Sequence, residues 1–404
     1  PMPWESEAPS WRTPKDISDW LTQVNWPRAL KAVADAEREC ARLGEALGRR
    51  EGKRGRNIWR RRALFNEAVS QTRIGGLVTT RLRLRVLDAG QHLGNAAPGD
   101  LSAHDKLKRL EALYADGVPE NPTGKKLVAS GLARRSLTVE DVAGGYVDPP
   151  EEEDAEAAAE ALDRVLSEAK AKAGKQPPVV TAAAALWQLE NDLGRHLDSA
   201  WNLGMSLTPI LLRIGAASPP LPLVFPSVAL LDRPAAWRPD GDPTKWMVRF
   251  AETMARSASL HLGELGVVRQ RLKEADEATA GLRGHARHKE AASALVEREI
   301  LTSSMLRRNL GWSVTERAVR GILRDLATPA EQGGVGVARE VTGRKQYRIY
   351  VWHGTPASEL RAKEQDGPAY AERASDNALP PIQPDPIDRS KPWKTDDAFL
   401  RQLM

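Results

Sequence analysis

At 404 residues the chain is longer than one hydrophobic core of about 100–150 residues accommodates, so two or three folding units are expected. Hydrophobic residues at 41% and charged residues at 28% exclude a disordered or collagen-like chain, and no uncharged apolar run approaches the ~18 residues of a membrane span. The formal charge of +5 is compatible with nucleic acid but does not single it out. A single cysteine, Cys40, permits no internal disulfide and no thiolate zinc cluster. The polar, proline-rich first residues carry no secretory apolar core, so a cytoplasmic location is expected.

In chain order, residues 1–26 hold Trp4, Trp11, Trp20 and Trp26 and read as an arm docked by aromatic anchors. From Pro27 to Arg49, Leu30, Val33, Ala34, Cys40, Leu43 and Leu47 fall near helical spacing, with Pro27 suited to a first turn. Residues 49–62 carry eight basic side chains against one acid and read either as a solvated linker or as a grip on a phosphate backbone. A helix with Leu64, Ala68 and Val69 follows, then helical candidates over 77–93 and Ser102–Tyr114. After Pro149 and Pro150, Glu151–Asp154 opens an alanine-rich helix to about Ala173, acidic at its start and lysine-rich at its end as the helix dipole favours. Residues 180–215 are strongly helical, with an interruption expected around Pro209. Asp242-Pro243 starts a long helix carrying Trp246, Phe250, Met254, Leu265 and Leu272, and 281–288 reads as a hinge. Beyond His353 the prolines predict extended or disordered chain, with a short helix at Thr395–Met404.

The sharpest pattern is Ile300–Leu326. One helix ends near Ile300, and Thr302 caps a second over Ser303–Leu310 with Met305, Leu306 and Leu310 inward. Gly311 permits a sharp turn, and Ser313-Val-Thr-Glu316 matches a capping box opening a third helix. That helix would bury Val314, Ala318, Val319, Ile322 and Leu323 and turn Thr315, Arg317, Arg320 and Arg324 outward. This is helix-turn-helix spacing. Val337–Val341 and Gln346–Trp352 flank a turn with Gly343, Arg344 and Lys345, which predicts a basic hairpin carrying Arg339 and Arg348. Helix-turn-helix plus hairpin reads as a winged helix on double-stranded DNA. In that reading Thr302, Ser303, Ser313, Thr315, Arg317, Arg320 and Arg324 lie toward the duplex, and Arg344, Lys345 and Arg348 hold phosphates. Residues 289–352 hold eleven basic residues against seven acids, a surplus nearly equal to that of the whole chain.

Several segments resemble Fic-domain proteins. The run Arg344–Trp352 after Glu340-Val-Thr-Gly343 is similar to the wing closing the C-terminal winged helix of many of them. Glu67-Ala-Val-Ser-Gln-Thr-Arg-Ile-Gly-Gly76 resembles their inhibitory-helix region, although Gly75 stands where that family has a glutamate. Pro220–Pro226, followed by the helix with Trp246 and Phe250, resembles the stretch after the Fic catalytic helix. The layout is also similar to a group of rhizobial, plasmid-borne proteins joining a helical domain to a helix-turn-helix. Fic transferases use a histidine base and a Gly-Asn-Gly-Arg anion hole. The corresponding segment here, Gly194–Gly204, places Gly194 at the histidine and Asn202 at an arginine. His196 and Asp198 stand nearby without the glycine-rich backbone that cradles phosphate, so the resemblance implies a scaffold without transferase activity.

Other motifs have plainer readings. His285 with His288, and His261 with Glu264, lack a third ligand of matching context, so no metal is expected. Gly333-Gly-Val-Gly336 precedes a strand and not a helix, which excludes a phosphate loop, and Trp187, Trp201, Trp237 and Trp246 are expected to fill a helical core. The expected fold is mainly α: an arm and helical subdomain over 1–150, a central Fic-like but catalytically degenerate domain over 151–284, a winged helix-turn-helix over 285–352 and a tail over 353–404. The expected function is sequence-specific DNA binding in transcriptional control on a plasmid or mobile element, by a homodimer without cofactor, membrane or enzymatic activity. The alternatives are a protein-interaction adaptor using the same module and a divergent nucleotide-transferring enzyme.

Overall fold

The computed structural model describes residues 16–49, 53–90, 96–114, 116–130, 152–193, 200–216, 222–231, 242–280, 286–311, 314–342 and 348–355. The anchors Trp4 and Trp11, Trp237, and the tail beyond residue 355 with its terminal helix lie outside the described residues. The chain is mainly helical and divides into two units. One comprises 1–74 with 105–266, and the other 75–104 with 267–404.

The first unit contains α1 (Ile17–Gln23), α2 (Trp26–Arg49) and α3 (Lys53–Ile74). Helix α5 (Pro98–Tyr114) begins in the second unit and continues into the first, where α6 (Gly124–Ala129), α7 (Glu152–Lys172), α8 (Pro178–Leu193), α9 (Ala200–Gly215) and α10 (Ser227–Leu230) follow. Its core forms around α8, where Ala182, Ala183, Ala184 and Ala185 are all buried, so their small side chains let α7 and α9 approach closely. Trp20 on α1 packs on Trp187 at 6.4 Å between ring centroids, and the Trp246 indole donates to the Ala183 carbonyl at 2.8 Å, satisfying its buried N–H. Gly124 lies against α7 so closely that a Cβ there would stand 1.9 Å from the Ala159 carbonyl oxygen. Helix α11 (Pro243–Thr279), whose residues from 267 on belong to the second unit, opens with the Asp242 carboxylate accepting from the Thr244 and Lys245 amides, and Pro243 occupies its first turn.

Four details differ from the sequence reading. The basic run is neither wholly a linker nor wholly a free grip. Helix α3 starts at Lys53 and runs through it, because Ile58, Trp59 and Arg62 are drawn into the core. Pro209 does not interrupt its helix. It sits inside α9, and Tyr114 donates its hydroxyl to the Ser206 carbonyl one turn earlier at 2.5 Å. Leu30 is not on the buried stripe of α2 but 63% exposed. Helix α6 carries no long periodic pattern and was not expected.

The second unit contains α4 (Arg81–Asp88), the start of α5, α12 (Ala286–Arg298), β1 (Ile300–Leu301), α13 (Ser303–Leu310), α14 (Glu316–Ala327), β2 (Ala338–Glu340) and β3 (Tyr350–Trp352). The strands form an antiparallel sheet in the order β1-β3-β2, with Ile300 opposite Val351 and Glu340 opposite Tyr350. The helix expected to end near Ile300 ends at Arg298, and Ile300 itself opens the edge strand beside β3. Glu299, just before it, is the one non-glycine residue at positive φ (63°) among the described residues. Its carboxylate meets Arg81 at 2.8 Å and Arg85 at 2.9 Å, tying α4 to the turn between α12 and β1.

Candidate nucleic-acid interface

Helices α13 and α14 are positioned by their own caps and by one buried stripe. Thr302 accepts from the Met305 amide at 3.2 Å to start α13, as its position in the sequence implied. Met305 and Leu306 are buried, Leu310 is half-buried, and Gly311 turns the chain at φ 89°. The cap of α14 is Thr315, whose hydroxyl accepts from the Ala318 amide at 3.3 Å, so the helix opens two residues later than a box on Ser313 would place it. Val314, Val319, Ile322, Leu323 and Leu326 are buried, whereas Ala318, expected inward, is exposed. A residue every third or fourth position on that side fixes the opposite side to Arg317, Arg320, Gly321 and Arg324.

His288 on α12 meets Asp325 on α14 at 3.1 Å, and the Val335 amide donates to the Asp325 carbonyl at 2.8 Å. These two bonds hold α14 against α12 and against the approach to β2. Lys289 pairs with Asp276 on α11 at 3.1 Å. The Arg271 guanidinium lies over the Trp352 ring at 5.9 Å.

Of the residues expected at a DNA surface, Arg317, Arg320 and Arg324 share one exposed face of α14, with Thr315 exposed at its start. Arg320 donates to Glu316 one turn before it. Arg348 is exposed on the approach to β3 and lies 3.7 Å from Glu340 across the hairpin. Ser303 is half-buried in the first turn of α13, and Thr302 is buried with its hydroxyl engaged by the Met305 amide and Ser304. Ser313, Arg344 and Lys345 lie outside the described residues. Sequence reading missed Arg308 and Asn309, exposed on the last turn of α13, and Glu316, whose spacing of four from Arg320 signals the pair. Arg339 donates to the Thr355 carbonyl.

A second concentration of polar groups is buried in the first unit. Glu67 on α3 accepts from Gln71 at 2.6 Å and from the Ser227 hydroxyl at 2.7 Å, and Gln71 also donates to the Ser206 hydroxyl at 2.8 Å. The second Glu67 oxygen has no hydrogen-bond partner among the described residues. Burial pushes the Glu67 carboxyl up to about 7, against the lowering effect of its hydrogen bonds, and pushes the nearby Lys106 ammonium down to about 8. Gly194, His196 and Asp198, the segment compared with the Fic motif, lie outside the described residues, and the side chain of Asn202 does as well. Among the described residues no three His, Cys, Asp or Glu side chains cluster as metal ligands do. His261 instead meets the edge of Trp59 at 5.9 Å, and burial lowers its pKa. Among them too, no helix is long and apolar enough to cross a membrane.

No family model matches the chain, and no curated protein matches it. Among solved structures it is similar to a Fic family protein from Desulfovibrio desulfuricans G20, at 14% identity and a TM-score of 0.44, over 82% of this chain and 97% of that one.

Proposed function

We propose that residues 285–352 form a winged helix that binds double-stranded DNA in a sequence-specific manner. In this reading α14 enters the major groove, and α13 and the β2–β3 hairpin rest on the phosphate backbone. The observation that carries it is the clustering of Arg317, Arg320 and Arg324 on the exposed face of the second helix of a helix pair, opposite a stripe that buries Val319, Ile322, Leu323 and Leu326. Gly321 supports it. A mid-helix glycine costs about 1 kcal/mol relative to alanine, and open space surrounds this one, so no neighbour in the free protein requires it. Placed between Arg317 and Arg324, it lets the helix axis approach a groove floor.

The chain acts in this reading as a binding protein and not as a transferase. Its setting is transcriptional control on a plasmid or mobile element, which the helical-plus-helix-turn-helix resemblance suggests. A homodimer belongs to the proposal, because two-fold operators match two-fold proteins. Light scattering on the free and DNA-bound protein would return twice the chain mass, and a monomer in both states would remove that part.

The deciding experiment is a gel shift of the full chain on genomic fragments at several salt concentrations, repeated with Arg317→Ala and Arg320→Ala. Specific complexes that survive moderate salt and disappear in the variants are expected. Binding that ignores sequence, or that survives both substitutions, overturns the assignment of α14.

A further inference from the structure

We infer that Glu316 and Arg320 act together as the specificity-determining pair of this surface, and that the site they select contains a G·C base pair. The inference rests on the DNA-binding reading above and deepens it.

A carboxylate in the first turn of a helix that faces a polyanion is unfavourable unless it has a task there. Glu316 is exposed in that turn, one helical turn before Arg320 and paired with it. Stabilising the helix is a minor task, since an exposed pair of this kind contributes little in water. Its larger effect is geometric. The Arg320 guanidinium donates one N–H to Glu316 Oε1, which orients the head group of a long side chain beside the helix N-terminus. The remaining donors of the planar fork stay available. A guanidinium held this way matches the N7 and O6 acceptors of guanine, the pair of acceptors on one base edge that suits a planar donor fork.

Glu316 contributes a second element of choice. An acceptor-only carboxylate is repelled by phosphate and by the acceptor edges of guanine and thymine, but accepts from the N4 amine of cytosine. Arg317 and Arg324 flank the pair without a comparable acid beside them, so they add affinity while Glu316 and Arg320 add discrimination.

The test is selection of duplexes by the full chain from a randomised pool, followed by titration of the winning duplex and of a copy with its G·C pair replaced by A·T. The wild-type chain should enrich an invariant G·C pair and lose about 5- to 150-fold in affinity on the A·T copy. A duplex with 7-deazaguanine at that position, lacking the N7 acceptor, should lose affinity in the same direction. Arg320→Lys keeps the charge but not the fork, so it should bind both duplexes alike, near the weaker affinity. Glu316→Ala should bind the A·T copy as well as or better than wild type does, and discriminate less. Unchanged thermal unfolding midpoints establish that both variants fold, as substitutions at exposed positions should permit. If wild type selects a sequence but both variants discriminate as it does, this inference falls while the DNA-binding reading stands. If the selected site has no fixed G·C pair, the result is the same. If the chain enriches no sequence at all, both fall.

Discussion

Arg85 and Glu299, 214 positions apart in sequence, meet as a buried ion pair at 2.9 Å, with the arginine only 2% exposed. The contact makes α4 part of the unit that holds α13 and α14, although α4 precedes them by about two hundred residues. It also secures Glu299 at a positive φ that disfavours any side chain, by roughly 1 kcal/mol. Removing one partner of such a pair strands the other charge away from water. Glu299→Ala is therefore expected to lower the unfolding free energy of this unit by about 3–5 kcal/mol. Glu299→Gly relaxes the backbone and should recover only about 1 kcal/mol of that loss. Chemical denaturation of the three proteins measures the difference. If the glycine variant matched wild type, backbone strain and not the ion pair would dominate the site.

The buried Glu67 predicts a pH dependence of defined sign. Its folded-state pKa of about 7 lies above the ordinary carboxyl value of 4.5. Between those values the folded chain holds a proton that the unfolded chain releases, so stability falls as pH rises through the window and levels off above it. Lys106, lowered to about 8 from 10.5, acts in the next window, and there stability recovers as pH climbs. Glu67→Gln should flatten the first window, a difference on the order of 3 kcal/mol between pH 4.5 and 8. Gln71 and Ser227 can still donate to the amide oxygen. Denaturation midpoints of wild type and variant across that range give the answer, and parallel curves would mean that Glu67 stays ionised when buried.

Much of this was legible where a local signal and the tertiary environment agree. Thr302 is followed by apolar residues at the right spacing, and its cap is where the sequence placed it. Asp242-Pro243 marks a helix start through two independent preferences, a capping carboxylate and a proline with no amide to satisfy. The misreadings come from competition. Ser313 and Thr315 are both competent caps, and Val314 between them is buried, so packing and not propensity starts α14 at Thr315. The basic run before Trp59 contains two glycines and reads as loop, yet burial of Ile58, Trp59 and Arg62 makes it helix. Strand β1 is two residues long, too short to show alternation, and exists because β3 needs a partner on that edge. The candidate site was legible in outline, since the buried stripe of α14 dictates its exposed one. The hold of Glu316 on Arg320 follows from a spacing of four that was there to be read.

Gly321 separates stability from binding. A Cβ built there meets nothing within 4 Å, so Gly321→Ala costs no packing and gains helix propensity. The free protein should become more stable by about 0.5–1 kcal/mol. If α14 approaches a groove floor at this position, the same methyl group holds it off, and affinity for the selected duplex should fall. Thermal unfolding of the free chain and titration of the complex give the two numbers. A variant that is both more stable and equally tight would show that this side of α14 does not approach the bases.

In the proposed docking, salt dependence separates an arginine that would read bases from one that would grip backbone. Arg308, exposed on the last turn of α13, sits on the helix that crosses the phosphates in the proposed docking, whereas Arg320 faces the groove. Each cation on a phosphate releases condensed counterions, which sets the slope of log affinity against log salt at about −0.9 per phosphate contact. Arg308→Ala should therefore weaken binding to specific and unrelated duplexes by similar factors and make the slope shallower by about 1. Arg320→Lys keeps its charge, so its slope should stay near wild type while the preference between duplexes disappears. Fluorescence anisotropy titrations from about 50 to 200 mM salt cover the range in which these slopes are measured. If Arg308→Ala changed discrimination and Arg320→Lys changed only the slope, the roles of α13 and α14 would be exchanged and the docking would have to be inverted.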